Sequence, residues 1–414
     1  MASVKLSDVT DFSSVSGSVD YVFGVVDGVL CKVSPEKAVS EVVVSADAVE
    51  EAAASATSAA SSATSAASSA ESAATSASEA AETAEEAATE ASEAATEAAT
   101  YLNFAKAAAQ YAGAQWFIVD TDGGVSCKQD TMVASWYNGD TTLAGVYALE
   151  GAVATSGYRA FGDCTGLTVA DLTDLDTSAV TTTQGMFVNC TALTSIDLTG
   201  LDASAVTTMA SMFYGCSALT TLDLSGFTTS AVTTMQYMFY SCTSLTTLDL
   251  SSFDTSAVTT MYAMFSGCSA LTSIDLSSFV TSAVTTMQST FSNCSSLTSI
   301  DLSSFDTSAV TTMHDLFFNC AALTTVEGTL DMTSVTDSGT MFFNCTALTT
   351  VSIANLGVSL DLSSCPLDYE SVTYLFENAQ TVDEGTITLS STTYALLSED
   401  DIAVATDKGW TIAY

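Results

Sequence analysis

The chain has 414 residues, of which 48 are acidic and only 7 are basic, so its formal net charge is −41. Between Arg159 and Lys408 it contains no lysine or arginine, and its only histidine is His314. Binding to nucleic acid or to an anionic membrane surface requires clustered cations, so this charge balance excludes both kinds of partner.

The N-terminal residues MASVKLSDVTDF contain no basic segment followed by an apolar stretch, so we expect no signal peptide. No lipidation motif and no apolar run of about 18 residues occurs either. The cysteines number eleven, and most recur at a fixed spacing, which differs from a secreted disulfide framework. We therefore expect assembly in a reducing cytoplasm, with release by a route such as virion assembly and lysis.

Residues 1–45 alternate apolar and polar positions on either side of Asp27-Gly28, which predicts a small β-module containing a hairpin. The string VKLSDVTDFSSVSGSVDYVFGVVDGVLCKV resembles a short domain at the N-termini of phage tail-fibre proteins. Phe23-Gly24 replaces the apolar-proline step that is usual there. The resemblance implies attachment to a virion tail or capsid protein. The alternative is a β-domain that only caps the chain.

Residues 46–112 consist of heptads such as SATSAAS and EASEAAT, with alanines at the second and fifth positions. That spacing forms an a/d seam, and neither glycine nor proline interrupts it. We expect a long α-helical coiled coil that assembles a homotrimer, because the segment resembles alanine-rich phage fibre shafts. The alternative is a disordered low-complexity linker.

Residues 113–160 are predicted to form short strands, with turns at Asp122-Gly123-Gly124 and Asn138-Gly139. The end coil of a repeat array needs a polar lid, because its apolar face has no neighbouring repeat. We therefore interpret this segment as a cap and transition before the repeats.

Residues 161–353 repeat a unit of 26 residues, which is marked by a cysteine column. Within residues 230–255, Leu248 and Leu250 alternate with Asp249, which predicts a strand with a polar outer face. The segment MQYMFYSC (235–242) places apolar residues at i, i+3, i+4 and i+7, which predicts the buried stripe of a helical turn. Each cysteine falls in that stripe, so we expect buried free thiols instead of disulfides or a zinc site.

The units match the signature L-x-x-L-D-L-S-x-F-D-T-S-x-V-T-x-M-x-x-M-F-x-x-C of the BspA-like leucine-rich-repeat family of bacterial and mycoplasma surface proteins. Departures include Thr183, Thr290 and Leu316 at methionine positions. Residues 354–414 resemble the C-terminal ending of that family, with Trp410 as a candidate lid. The resemblance implies a parallel-strand solenoid that serves adhesion or recognition without catalysis. The whole chain is thus predicted to be a multidomain α plus β protein with a β-module, a coiled coil and a solenoid.

Two outward surfaces of the repeats are candidate ligand sites. The first is an aspartate column on the strand face, represented by Asp223, Asp249 and Asp275. Stacked carboxylates about 5 Å apart suit Ca²⁺ or a cationic or sugar ligand, and the alternative is that they are merely solvated. The second lies on the outward side of the helical turn, where residues vary between units: Tyr214, Tyr237, Tyr240, Tyr262, His314 and Phe318. Exposed aromatics favour binding, and the alternative is drift between repeats.

No phosphate-binding loop and no nucleophile motif occurs, so we expect no enzymatic activity and no cofactor apart from the open case of Ca²⁺. The prediction is a virion-associated fibre whose head binds a host cell-surface receptor, such as a glycan. It would assemble in the host cytoplasm and be exposed extracellularly on the virion. Two alternatives stay open: a bacterial surface adhesin of the leucine-rich-repeat type, and a purely structural fibre without a receptor.

Overall fold

The computed structural model describes residues 3–4, 22–26, 29–33, 44–45, 114–122 and 125–414. The chain divides into two compact units, Met1–Thr100 and Tyr101–Tyr414. In the first unit, β1 (Ser3–Val4) pairs antiparallel with β4 (Val44–Ser45). Strands β2 (Val22–Val26) and β3 (Val29–Val33) pair antiparallel on either side of the Asp27-Gly28 step.

The prediction of a multidomain α plus β protein is wrong. The described residues form mostly a β-solenoid, and their helices are three short ones near the C-terminus: α1 (Tyr369–Asn378), α2 (Ser391–Tyr394) and α3 (Glu399–Thr406). The coiled coil that was expected to supply the α component falls on residues 46–112, which lie outside the described residues. Within the part of the chain that is described, no helix is long and apolar enough to cross a membrane.

The second unit begins with a sheet that leads directly into the repeats. It contains β5 (Trp116–Asp120), β6 (Val125–Lys128), β7 (Leu143–Ala148), β8 (Val169–Asp171) and β9 (Ser195–Asp197), in the order β6-β5-β7-β8-β9. β5 pairs antiparallel with β6 and β7, whereas β7, β8 and β9 are parallel. Trp116 is fully buried, and its indole N–H donates to the carbonyl of Asp130 at 2.8 Å. The antiparallel strands thus close the end of the solenoid.

Each 26-residue unit forms one coil, and equivalent residues of successive coils stack into columns. The phenylalanines of one column are fully buried, and their ring centroids are 5.4 to 5.9 Å apart. Leu248 and Leu250 are buried while Asp249 is exposed, as alternation predicts. Later coils carry β10 (Ser299–Asp301), β11 (Thr325–Asp331) and β12 (Thr350–Ala354), which are parallel. The columns form one continuous core.

The predicted helical turn is a series of tight turns instead. Met235, Met238, Phe239 and Cys242 are buried as expected, but the amide of Met238 donates to Met235, three residues back, and not four. Tyr237 adopts a left-handed conformation with φ of +58°, which a helix does not contain. Every second backbone amide instead donates to the next coil; the amide of Phe239, for example, donates to the carbonyl of Met264 at 2.9 Å. Consecutive turns reproduce the i, i+3, i+4, i+7 burial pattern without a helix.

A buried threonine column also links neighbouring coils. Thr255 donates its hydroxyl to the carbonyl of Val280 at 3.0 Å and accepts the amide of Val280 at 2.8 Å. Both backbone groups of Val280 are thereby satisfied by one side chain. Ala203 occupies the equivalent position one coil before Thr229, so the link is missing there.

The C-terminal end closes with three parallel strands, β13 (Leu360–Leu362), β14 (Gly385–Leu389) and β15 (Trp410–Ala413). Trp410 is 2% exposed, and its indole N–H donates to the carbonyl of Gln380 at 2.8 Å. The ammonium group of Lys408 donates to the carbonyls of Phe376, Glu377 and Ala379 at the C-terminal end of α1. Lys408 thus supplies the positive charge that a helix C-terminus favours.

Candidate functional site

Four of the tyrosines predicted from the sequence lie together on the solenoid surface. They occupy the outward side of the segments equivalent to residues 235–242, which we call the turn face. The rings of Tyr214 and Tyr240 stack at 4.6 Å, and Tyr237 contacts Tyr262 edge-on at 4.8 Å. Tyr237 also contacts Tyr214 at 6.1 Å and Tyr240 at 5.7 Å. We call these four residues the tyrosine cluster.

The repeat places these side chains together. Tyr214 and Tyr240 are one period apart, so they stack in a single column across adjacent coils. Tyr237 and Tyr262 are one residue short of a period, and their coils are joined by the hydrogen bond from the amide of Tyr237 to the carbonyl of Tyr262 at 2.9 Å. All four side chains are half-buried. The result is a fixed aromatic patch that spans three coils.

The environment of the tyrosine cluster raises the pKa of two of its phenols, those of Tyr214 and Tyr237. Burial, and then a hydrogen bond with the phenol of Tyr262, raises the pKa of Tyr237 to about 12. Burial and the neighbouring Tyr240 raise the pKa of Tyr214 as well. Both phenols therefore remain hydrogen-bond donors and acceptors at neutral pH, and neither is activated as a nucleophile.

The other two predicted turn-face residues form a separate patch. Phe318 stacks on Phe343 at 5.2 Å, and Phe343 is 49% exposed. The Nδ1 atom of His314 lies 3.1 Å from a carboxylate oxygen of Asp315. Ser266 and Ser292, both buried, fill the same column between Tyr240 and Phe318. Tyr262 lies in the same coil as Ser266, so one coil, that of Ser292, separates this patch from the tyrosine cluster.

The aspartate column has a local structural role. Asp223, Asp249 and Asp275 are exposed, and each accepts the backbone N–H of the serine two residues later at 2.9 Å. Hydrogen bonds from those serines lower the pKa of each carboxyl. The three residues line a shallow depression of about 820 Å³. Within the described residues, no group of three or more His, Cys, Asp or Glu side chains is arranged to hold a metal ion.

The cysteine column is buried and reduced in the described chain. The nine cysteines from Cys164 to Cys365 are free thiols. Cys242 donates its thiol to the carbonyl of Phe213 in the preceding coil at 3.1 Å, and equivalent cysteines repeat this bond. Burial raises the pKa of Cys164 and of Cys345 to about 12. These thiols fill the core and stay protonated, so they are poor ligands and nucleophiles.

One part of the turn face was missed by the sequence prediction. Tyr158 and Arg159 precede the first complete unit, yet they line a hollow together with Gln184 and Tyr214. The signal was available, because Tyr158 lies one period before Gln184 and therefore continues an outward column. This hollow was missed because residues 113–160 were predicted to form only a cap.

Stacked coils with an L-x-x-L-x-L strand, inward-facing leucines and an outward variable turn define a protein of the leucine-rich-repeat solenoid class. A family model described as "Mycoplasma protein of unknown function, DUF285" matches residues 155–273 and 244–355. This match covers the repeats on which the resemblance to BspA-like proteins rests, and it confirms the repeat-family part of that resemblance. It does not extend to residues 1–112, on which the resemblance to phage fibres rests.

Among solved structures, the functional domain of InlJ from Listeria monocytogenes, which includes a cysteine ladder, is similar to this chain. The two share 17% sequence identity over 60% of this chain and 70% of that one, with a TM-score of 0.14. No curated protein matches the chain.

Proposed function

We propose that this chain is a non-enzymatic recognition protein of the bacterial surface-adhesin kind, which binds an external partner through the turn face of its solenoid. The tyrosine cluster is the observation that carries this proposal. Tyrosine is favoured in binding surfaces because it offers a large contact area and a hydrogen-bonding hydroxyl at a small entropic cost.

The fold itself does not require these aromatics. The position of Tyr237 is held by Ser211, Ala263 and Ser289 in other coils. Likewise, Ser266 and Ser292 replace Tyr240, and Gln236 and Gln288 replace Tyr262. Since coils with small or polar residues at these positions stack equally well, selection for stability does not account for the cluster. Recognition of a partner does.

The cluster is also fixed before any partner arrives. Its backbone is bonded from coil to coil, and its rings support one another at centroid distances of 4.6 to 6.1 Å. A surface that loses little freedom on binding keeps more of its contact energy as affinity. Protonated phenols can donate and accept hydrogen bonds with that partner without reacting as nucleophiles.

The test uses the fluorescently labelled full chain and a panel of bacterial and mammalian cells, read by flow cytometry. The variant combines Tyr237→Ser, Tyr240→Ser and Tyr262→Gln, each of which installs the residue found one coil away. We expect binding to the responding cells to weaken by about tenfold or more, as for loss of an aromatic hot spot. The control is Tyr374→Gln, which changes an exposed tyrosine of α1.

Equal binding by wild type and triple variant, with unchanged circular dichroism, would overturn the proposed role of the turn face. The absence of binding to any cell would overturn the adhesin proposal itself and favour a structural role.

A location on a virion is the second proposal. It is supported by the resemblance of residues 1–45 to a phage attachment module, and it would make a host receptor the partner. Mass spectrometry of purified virions decides between the two settings. Finding the chain in virions supports the fibre, and finding it on the surface of the cell that encodes it supports the adhesin.

A further inference from the structure

A hollow of about 320 Å³ lies at the N-terminal end of the turn face. It spans three coils, beginning at the last residues before the first complete unit. We call it the cap-side hollow; its lining residues are Tyr158, Arg159, Gln184, Gly185, Val188, Asn189, Ser211 and Tyr214. Its volume is at the lower end of the range for small-molecule sites.

The middle coil of the hollow contains a residue without a side chain, Gly185. Gly185 stands in the column of Arg159 and Ser211, and its φ of +61° is the left-handed conformation shared by that column. It has no side chain to fill the space, so the floor is backbone and the side chain of Val188. Tyr158 and Tyr214 line the hollow from the coils before and after that of Gly185, and Tyr158 is 39% exposed.

The lining groups offer both donors and acceptors. The backbone N–H of Gln184 donates to the hydroxyl of Thr182, but its side-chain amide has no hydrogen-bond partner among the described residues. One donor group and one acceptor of that side chain are therefore available. Asn189 donates an N–H of its Nδ2 to the carboxylate of Asp163 at 2.8 Å, which leaves its Oδ1 as an acceptor outside that hydrogen bond. Planar amides that can donate and accept at once suit the vicinal hydroxyl groups of a sugar, and an aromatic ring suits its apolar C–H face.

The one cation of the hollow is already neutralised. Arg159 pairs through Nη2 with the carboxylate of Asp163 at 2.5 Å and donates through Nε to Asn138 at 3.1 Å. The hollow is therefore locally uncharged, within a chain whose formal net charge is −41. An anionic ligand would meet long-range repulsion with no free cation to compensate.

We infer that the cap-side hollow binds a neutral pyranose sugar. This inference deepens the proposed function, on which it rests, by naming the ligand class and its place on the turn face. Tyr214 belongs both to the hollow and to the tyrosine cluster, where it stacks on Tyr240. A longer glycan seated in the hollow can thus continue along the aromatic rings.

The repeat supplies matched variants for the test. Ser211→Tyr places in the hollow the side chain that Tyr237 carries one coil later, where φ is +58° against +56° at Ser211. Ser289→Tyr makes the same change at φ of +56° outside the hollow. Gln184→Ala removes the free amide, and Gln288→Ala is its counterpart in the same column.

The probes are immobilised neutral oligosaccharides of glucose, galactose, mannose and N-acetylglucosamine, with counterparts that end in sialic or glucuronic acid. The labelled full chain is applied to this array. We expect binding to a subset of neutral glycans, and a loss of tenfold or more in Ser211→Tyr and Gln184→Ala but not in Ser289→Tyr and Gln288→Ala.

Three results would overturn the inference. They are the absence of binding to any glycan, a preference for the carboxylated counterparts, and an equal loss in hollow and control variants. If cells still bind the chain through Tyr237 and Tyr262 while the hollow variants have no effect, the proposed function stands and only the sugar site fails. If neither cells nor glycans bind, both fail.

Discussion

Thr183 and Thr290 are threonines at buried methionine positions of the repeat, and they should respond oppositely to replacement by valine. Thr183 is 1% exposed, and its hydroxyl has no hydrogen-bond partner among the described residues. Thr290 is fully buried, but its hydroxyl lies 2.8 Å from the carbonyl of Met287 and 3.0 Å from that of Met261. The same substitution therefore removes a penalty at one site and an interaction at the other.

The magnitudes follow from those contacts. A buried hydroxyl without a partner costs about 1–3 kcal/mol, and valine matches threonine in shape, so Thr183→Val should raise the unfolding free energy by roughly that amount. Thr290→Val loses one net hydrogen bond, worth about 0.5–1.5 kcal/mol. The carbonyls of Met287 and Met261 keep their backbone donors, so no further penalty arises there.

Urea unfolding followed by circular dichroism measures both variants. Hydrogen exchange of the flanking coils adds the local effect, because coils in a solenoid couple mainly to their neighbours. A stabilised Thr183→Val beside a destabilised Thr290→Val would confirm the reasoning. Destabilisation by both, to a similar extent, would refute it, since it would mean that the hydroxyl of Thr183 has a partner.

The remaining predictions concern the columns. Phe239→Ala should lower the unfolding free energy by about 3–5 kcal/mol, whereas Tyr240→Ser should lower it by under about 1 kcal/mol, because Phe239 is fully buried and Tyr240 is only half-buried. Equal losses in urea unfolding would contradict this difference in burial. The nine buried cysteines from Cys164 to Cys365 should resist iodoacetamide in the native protein and react after unfolding without reductant; disulfides among them found by mass spectrometry would contradict this. Thr255→Ala should destabilise the protein by about 1–3 kcal/mol, because it leaves the backbone N–H and carbonyl of Val280 unpaired. Ala203→Thr should stabilise it by about 1 kcal/mol, because it supplies the missing link between coils. An unchanged thermal midpoint in either variant would argue against this role of the threonine column. The exposed aspartates that accept serine hydrogen bonds have lowered pKa values in the folded protein. Their contribution to folding stability is therefore complete above the unfolded pKa of about 4 and is lost as pH falls through the lower pKa values of the folded state. Urea midpoints that rise between pH 4 and pH 2 would contradict this direction.

Much of the solenoid could be predicted from residue spacing alone. The alternation of Leu248, Asp249 and Leu250 gives the inner and outer faces of the strand, and the structure agrees. The column spacing of Tyr214 and Tyr240 also places them side by side before any coordinates are known. A fixed period converts separation in sequence into adjacency in space, which is why these predictions hold.

The helical turn could not be distinguished from successive tight turns by burial alone, because both bury positions i, i+3, i+4 and i+7. The distinguishing signal was a second column, which contains Asn189, Asn293, Asn319 and Asn344 as well as glycine and serine. Asparagine and glycine tolerate the left-handed conformation, and the four asparagines adopt it with φ of +58° to +60°. The cap-side hollow was missed for another reason: residues 113–160 were assigned to a cap alone, although Tyr158 lies one period before Gln184.

Coil-to-coil hydrogen bonding between equivalent positions makes the 26-residue unit interchangeable. Since the amide of Phe239 bonds to Met264 as that of Phe213 bonds to Met238, a coil that is duplicated or deleted whole finds the same partners on both sides. Recombination between near-identical repeats would then change the number of coils without new core packing. Each such event would move the tyrosine cluster by about 5 Å relative to the C-terminal end. Changes in repeat number can therefore alter, by one coil at a time, the distance between the binding surface and the end of the solenoid.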